Sequence, residues 1–216
     1  MTYSIVVVGT SWGGLNALRE LVGKLPAGFR VPTVVVQHRH RDSDQLLSTF
    51  LQERTKLTVA EVEDKMPIEP GMLFIAPADY HLLIDRNVFS LTTDAPVRYS
   101  RPSIDVTFYS AADAYAAATI GVVLTGANED GSRGLRRIFD RGGLTLIQDP
   151  STAEMSAMPT AAIRCVPDAR VESIAGIAAA LAELDADATS GRESTARTGF
   201  RPRAVDPPRA VRPGDA

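Results

Sequence analysis

The sequence predicts an α/β fold: a three-layer, doubly wound, mostly parallel sheet flanked by helices, with an antiparallel ribbon insertion. Three observations predict it. Short runs of β-branched residues without polar alternation recur along the chain, as strands buried on both faces require. A helical pattern follows each of the main runs, which is the alternation of a parallel sheet. Residues 72–92 depart from this alternation, with three short apolar runs joined by turn residues.

The first run, 4–8, reads Ser-Ile-Val-Val-Val and stops at Gly9. Leu15, Leu18, Leu21, Val22 and Leu25 then share one helical face, and Pro26 ends the helix. Val31 to Gln37 repeats the buried-strand pattern around Val34, Val35 and Val36. A second helix follows, with Leu46, Leu47, Phe50 and Leu51 as its apolar stripe and Ser43 as its N-cap. Met72 to Ala76, His81 to Ile84 and Val88 to Leu91 are the three runs of the ribbon, separated by Pro77-Ala78-Asp79 and Asp85-Arg86-Asn87. Ile104 to Ala118 reads as a helix, Ile120 to Leu124 as a strand, Ser132 to Asp140 as a helix and Leu144 to Ile147 as a strand. The last helix is expected from Glu172 to Leu184.

Composition sets the domain plan. The chain has 216 residues, 44 % hydrophobic and 23 % charged, a mixture that supports one ordinary globular core. Its net charge of −3 argues against nucleic acid as a partner recognised through an overall basic field. One cysteine, Cys165, leaves no intramolecular disulfide and no thiolate metal cluster, and reads as a small core residue. No run approaches the ~20 apolar residues of a membrane span, and the N-terminal residues have no basic region or small-residue cleavage site, so the expected location is the cytoplasm. From Asp185 onward the chain turns to Arg, Asp, Ala, Ser and Pro, with Phe200, Val205 and Val211 its only large apolar residues. Residues 185–216 are therefore expected to be a disordered tail, and 1–184 the folded domain.

The chemistry concentrates at three strand ends. Gly9-Thr10-Ser11-Trp12-Gly13 matches G-x-S-x-G between a strand and a helix, the setting of a nucleophile elbow. Such a turn lifts the Ser11 hydroxyl above the sheet, and the following helix directs free N–H groups and its positive end to the same place. The N–H of Trp12 is the natural first oxyanion donor, with Gly13 beside it. A phosphate-binding turn has a similar shape. However, Ser11 stands where the dinucleotide fingerprint has its second glycine, and the second strand ends in Gln37-His38 without an acid.

His38 leaves the second strand at the same end as Ser11 leaves the first, and adjacent strands lie ~4.8 Å apart, so it is the best available general base. His40 follows in a polar loop, and His81 begins a run of the insertion and reads as structural. The third strand end, Thr125-Gly126-Ala127-Asn128-Glu129-Asp130-Gly131, offers Glu129 and Asp130 to orient the imidazole; either could instead cap the next helix. The order Ser, His, acid differs from that of α/β-hydrolases and of the two best-known serine protease folds.

Six pieces of the chain, in order, resemble the catalytic domain of the CheB-type chemotaxis protein-glutamate methylesterases. They are V-V-G-T-S-W-G-G-L-N-A-L (7–18), V-V-V-Q-H (34–38), P-G-M-L-F-I-A-P-A-D-Y-H-L (70–82), R-P-S-I-D-V-T-F (101–108), G-V-V-L-T-G-A-N-E-D-G-S-R-G (121–134) and, less specifically, M-P (158–159). The resemblance spans residues 3–184 and implies a serine hydrolase that demethylates glutamate γ-methyl esters on the cytoplasmic helices of chemoreceptors. Methanol is released, and in some members glutamine is also deamidated. It places the catalytic roles on Ser11, His38 and Asp130, puts Trp12, Gly13, Ala127, Arg101 and Asp105 close to the site, and calls for no metal or cofactor.

The chain also departs from the family's pattern. Trp12 replaces a usual Thr, Ala127-Asn128 a usual Met-Gly, and Arg39-His40 a usual Met-Pro. The resemblance therefore fixes reaction type more firmly than substrate. An esterase or deamidase for another substrate, and a catalytically idle partner-binding domain, are the competing readings. Most relatives carry an N-terminal receiver domain that this sequence does not display, so constitutive activity or control by a separate regulator protein is expected.

Overall fold

The computed structural model describes residues 3–39 and 46–197. Seven strands form one parallel sheet: β1 (Ile5–Thr10), β2 (Thr33–Gln37), β3 (Thr58–Glu61), β4 (Met72–Ile75), β7 (Thr119–Val123), β8 (Leu144–Gln148) and β9 (Arg170–Glu172). Their order is β3-β4-β2-β1-β7-β8-β9. The chain winds outward from β1 first to one side, through β2 and β4, then to the other, through β7 and β8. A crevice opens at the carboxyl ends of the strands where the winding reverses, and the candidate site lies there.

Why the strands read as uninterrupted apolar runs is visible in β1. Val6 and Val8 pack into one core with Leu18 and Leu21 of α1 (Gly14–Lys24), Leu47 and Leu51 of α2 (Leu46–Gln52), and Ile177 and Leu181 of α6 (Ile174–Arg197). Ile5 and Val7 face the opposite core, with Ile104 and Phe108 of α3 (Ile104–Tyr115), Leu135 and Ile138 of α4 (Ser132–Asp140), and Met158 of α5 (Ala157–Cys165). Successive strand residues point to opposite faces, so a sheet covered on both sides needs apolar residues at every position.

Residues 72–92 need a correction. Only β5 (His81–Asp85) and β6 (Val88–Thr92) form an antiparallel hairpin, lying on the α3 side of the sheet. Met72–Ile75, expected in the same ribbon, is a strand of the main sheet, parallel to both β2 and β3. Its edge partner β3 is partly exposed and reads Thr-Val-Ala-Glu, too short and too polar to announce a strand.

The end of the folded unit is also later than expected. Helix α6 continues past Leu184 to Arg197, and Asp185, assigned to the tail, is buried and accepts the backbone N–H of Arg30 at 3.1 Å. The change in composition at Asp185 marks a more polar helix, not its end. Residues 198–216, the remainder of the expected tail, lie outside the described residues, as do Ser43 and His40. Two further elements, α5 and β9, escape the sequence reading. Pro159 falls within the first turn of α5, where a missing N–H is tolerated, and β9 has only three residues.

Candidate active site

Ser11 is the first residue after β1, and the turn that carries it is held from three sides. Its N–H donates to Thr125 O at 3.0 Å, and its carbonyl accepts from Gly14 N at 2.9 Å and from Gln37 Nε2 at 2.8 Å. Gln37 Nε2 also donates to His38 O at 2.9 Å, so one amide ties the ends of β1 and β2 together. Gly13 adopts φ 78° at the start of α1, a left-handed conformation that suits glycine. A Cβ on Gly9 would run into Ile104 Cγ2; this glycine lets the start of α3 lie against the strand end. Among the described residues, the N–H groups of Trp12 and Gly13 have no protein acceptor, which leaves two donors beside the serine at a helix N-terminus.

His38 is one residue beyond β2, its N–H bonded to Thr10 O at 3.1 Å. Its ring is largely buried and its Nε2 lies 2.8 Å from Asp130 Oδ2. Asn128 Nδ2 lies 3.4 Å from the other nitrogen, Nδ1. Among the described residues no hydrogen bond joins the Ser11 hydroxyl to the imidazole. The structure thus brings His38 and Asp130 into direct contact and sets Ser11 beside them without closing the third link.

Asp130 is fully buried. Besides His38, its Oδ2 accepts Ile104 N at 2.7 Å; its Oδ1 accepts Ser103 Oγ at 3.0 Å, Asp105 N at 3.0 Å and Gly131 N at 3.1 Å. Burial pushes its pKa up, but the hydrogen bond and charge of His38, with the N–H groups of Asp105 and Ile104, outweigh it and hold the carboxyl below its ordinary value. An acid kept ionised there can fix one imidazole tautomer and stabilise the imidazolium. The capping alternative is also met, on an unexpected helix. Asp130 serves the first turn of α3, while its own helix α4 has Gly131 at its N-cap and no side-chain cap. Glu129, the other candidate, is exposed and pairs at 3.4 Å with both Arg98 and Arg164.

The remaining expected residues surround this group in different ways. Trp12, next to Ser11 in the chain, is 65 % exposed. Its carbonyl lies 3.0 Å from Thr125 Oγ1, which also accepts Met155 N at 2.9 Å. Ala127 and Asn128 line a cavity of about 570 Å³ with Met155. Arg101 and His38 line another of about 330 Å³, but the Arg101 guanidinium is taken up by Asp79 at 2.6 Å and by the carbonyls of Thr93 and Asp94. Arg101 therefore braces the loop after the hairpin. His81 is buried; its Nδ1 accepts Ser103 N and its Nε2 donates to Ala95 O, both at 3.2 Å, the structural role expected of it.

Sequence reasoning missed Ser103, Thr125 and Gln37 as parts of the site. A Ser before an apolar helix is an N-cap signal and would have found Ser103. Nothing local marks Gln37 or Thr125, whose partners come from other strand ends. Among the described residues no group of His, Cys, Asp and Glu side chains is arranged to hold a metal ion.

Comparison with known proteins places the fold. The family model described as CheB methylesterase matches residues 6–181. A protein of Leptospira interrogans is 42 % identical over 186 residues, covering 86 % of this chain and 96 % of its own. The protein-glutamate methylesterase/protein-glutamine glutaminase 1 of Carboxydothermus hydrogenoformans is 40 % identical over 184 residues, 82 % of this chain but 54 % of that protein. Among solved structures, the Thermotoga maritima CheB methylesterase catalytic domain superposes with a TM-score of 0.80 at 34 % identity, covering 85 % of this chain and all of that one.

Proposed function

The chain belongs to the CheB methylesterase family, and from that premise we propose that Ser11, His38 and Asp130 hydrolyse γ-glutamyl methyl esters on chemoreceptor helices in the cytoplasm. The observation that carries this reading is the 2.8 Å contact between His38 and the buried Asp130 carboxyl at the strand ends flanking Ser11.

Asp130 accepts the proton on Nε2, so Nδ1 is the basic nitrogen. With the ester bound, the hydroxyl of Ser11 gives its proton to Nδ1 and its oxygen attacks the γ-carbonyl carbon. The carbonyl oxygen becomes an oxyanion, stabilised by the N–H groups of Trp12 and Gly13. Collapse returns the proton from Nδ1 to the methoxy oxygen, and methanol leaves. Water then gives a proton to Nδ1 and attacks the acyl-enzyme, freeing glutamate and the Ser11 hydroxyl. A glutamine side chain entering the same cycle would release ammonia instead. Throughout, Asp130 holds the ring and balances its transient positive charge.

Methanol release from methylated chemoreceptor membranes tests this reading. The full chain should release methanol, and Ser11→Ala should lose on the order of 10⁶ in kcat. A folded protein that releases none, yet cleaves small esters through Ser11, would favour the second reading, an esterase for another substrate. The exposed Trp12 immediately after Ser11 is the observation on that side.

A further inference from the structure

We infer that Asp105, which touches neither Ser11 nor His38, is a positioning residue for Asp130, because it anchors the helix that immediately follows the Asp130 turn. The inference rests on the assignment of Asp130 as the acid of the triad and adds a residue to it.

Two helix starts meet at this point of the fold. The first N–H groups of a helix have no partner within it. In α3, the N–H groups of Ile104 and Asp105 go to Asp130, which comes from the loop before α4. In α4, no side chain from its own loop caps the helix. Instead Gly134 N, in its first turn, donates to Asp105 Oδ1 at 2.7 Å, and Asp105 belongs to the first turn of α3. Each helix start is therefore satisfied by a carboxylate carried by the other. Asp130 lies two residues before α4 begins, so a shift of α4 carries Asp130 with it. The bond from Asp105 to Gly134 opposes that shift from the side facing α3.

Packing makes the link close. A Cβ on Gly134 would lie 3.1 Å from Asp105 O, so the helix starts meet almost backbone to backbone. Asp105 itself is buried. Burial first, and the neighbouring Asp130 charge after it, raise its pKa, while the Gly134 N–H and the charge of Arg98 pull it back. Tyr109, one turn along α3, faces it as well. The Gly134 N–H offsets part of the cost of burying a carboxyl there and ties it to the start of α4.

Three variants of the full chain test the inference: Asp105→Asn, which keeps an acceptor for Gly134; Asp105→Ala, which removes it; and Asp105→Ser, which leaves a polar group too short to reach. Two readouts are taken at a temperature where circular dichroism shows each variant folded. One is kcat and KM for a methyl ester. The other is the downfield proton resonance of the His38 Nε2–H bonded to Asp130, which needs no substrate. Asp105→Asn should keep both, with kcat within about threefold. Asp105→Ala and Asp105→Ser should lose on the order of 10²-fold in kcat, the scale of a small misplacement of a catalytic group, with KM little changed and the downfield resonance lost to exchange. If Asp105→Ala does not fold, Asp105→Ser decides. Wild-type kcat and an intact resonance in the folded Ala or Ser variant would overturn the inference, as would an Asn variant as impaired as Ala. If the wild-type protein cleaves no ester, the proposed reaction falls, and the resonance alone still judges the role of Asp105.

Discussion

His38 Nε2 lies 2.8 Å from Asp130 Oδ2, and that contact decides which face of the imidazole is free for chemistry. A carboxylate only accepts, so the neutral ring carries its proton on Nε2. The amide of Asn128, at 3.4 Å, can then donate to Nδ1. The expected outcome is a single Nε2–H tautomer for neutral His38, read from the ring nitrogen shifts in a ¹⁵N spectrum. A proton found on Nδ1 would move the base to Nε2 and sink the assignment.

Asp130→Asn should damage catalysis far more than its small change in shape suggests. Among the described residues, all five groups directed at Asp130 are donors, whereas an amide offers only one acceptor atom. Its NH₂ must face either the His38 side, which forces the proton to Nδ1, or the Ser103 and Asp105 side. We expect a fall in kcat on the order of 10⁴, the loss seen when a triad imidazole takes the wrong tautomer, with KM near normal. Asp130→Ala should also lower stability, since each stranded N–H of Ile104 and Asp105 costs about 1–3 kcal/mol. Equal melting temperatures for Asp130→Ala and the wild type would contradict the capping role.

The two aspartates should respond to pH with opposite signs. The folded-state pKa of Asp130 is lowered, so its contribution to stability is present above the unfolded carboxylate value, about 4, and is lost as pH falls through the folded value. That of Asp105 is raised. Its contribution is full below about 4 and is lost as pH rises through the folded value. Asp105→Asn should therefore gain stability relative to the wild type as pH rises from about 4 toward neutrality. Chemical denaturation of both proteins across that range checks it; a constant difference would mean that Asp105 is not raised.

Gly9→Ala offers a purely steric test. The new methyl would press on Ile104 Cγ2, at the residue whose N–H holds Asp130. Overpacking of this kind costs about 1–3 kcal/mol, and the displaced helix start should lower kcat as well. Thermal denaturation and one kinetic assay suffice. A variant with wild-type values in both would show that Ile104 moves aside freely.

Much of this was legible in the residues, for reasons that differ from element to element. The strands that carry Ser11 and His38, and β7 leading to Asp130, are buried on both faces, so their apolar runs stand out. The glycine-bracketed turns after β1 and β7 stand out for the same local reason. What stayed hidden depends on distant partners. Met72–Ile75 looks like its hairpin neighbours until β2 is seen beside it. Asp130 looks like a cap for its own helix, and only the fold brings Ile104 and Asp105 to it. Asp185 reads as part of a polar tail because nothing near it in sequence announces Arg30 as its partner.

The placement of β1 has a consequence for the timing of activity. Val7 pairs on one side with Val34 and on the other with Gly121, so the central strand is completed only by a segment more than a hundred residues downstream. Pairings so remote in sequence form late and cooperatively. A growing polypeptide presents Ser11 and His38 almost at once, yet it cannot hold the imidazole in register until the segment bearing Asp130 has been made and has closed the sheet. On the proposed assignment of the triad, hydrolysis is in this way withheld from any chain that ends before Asp130.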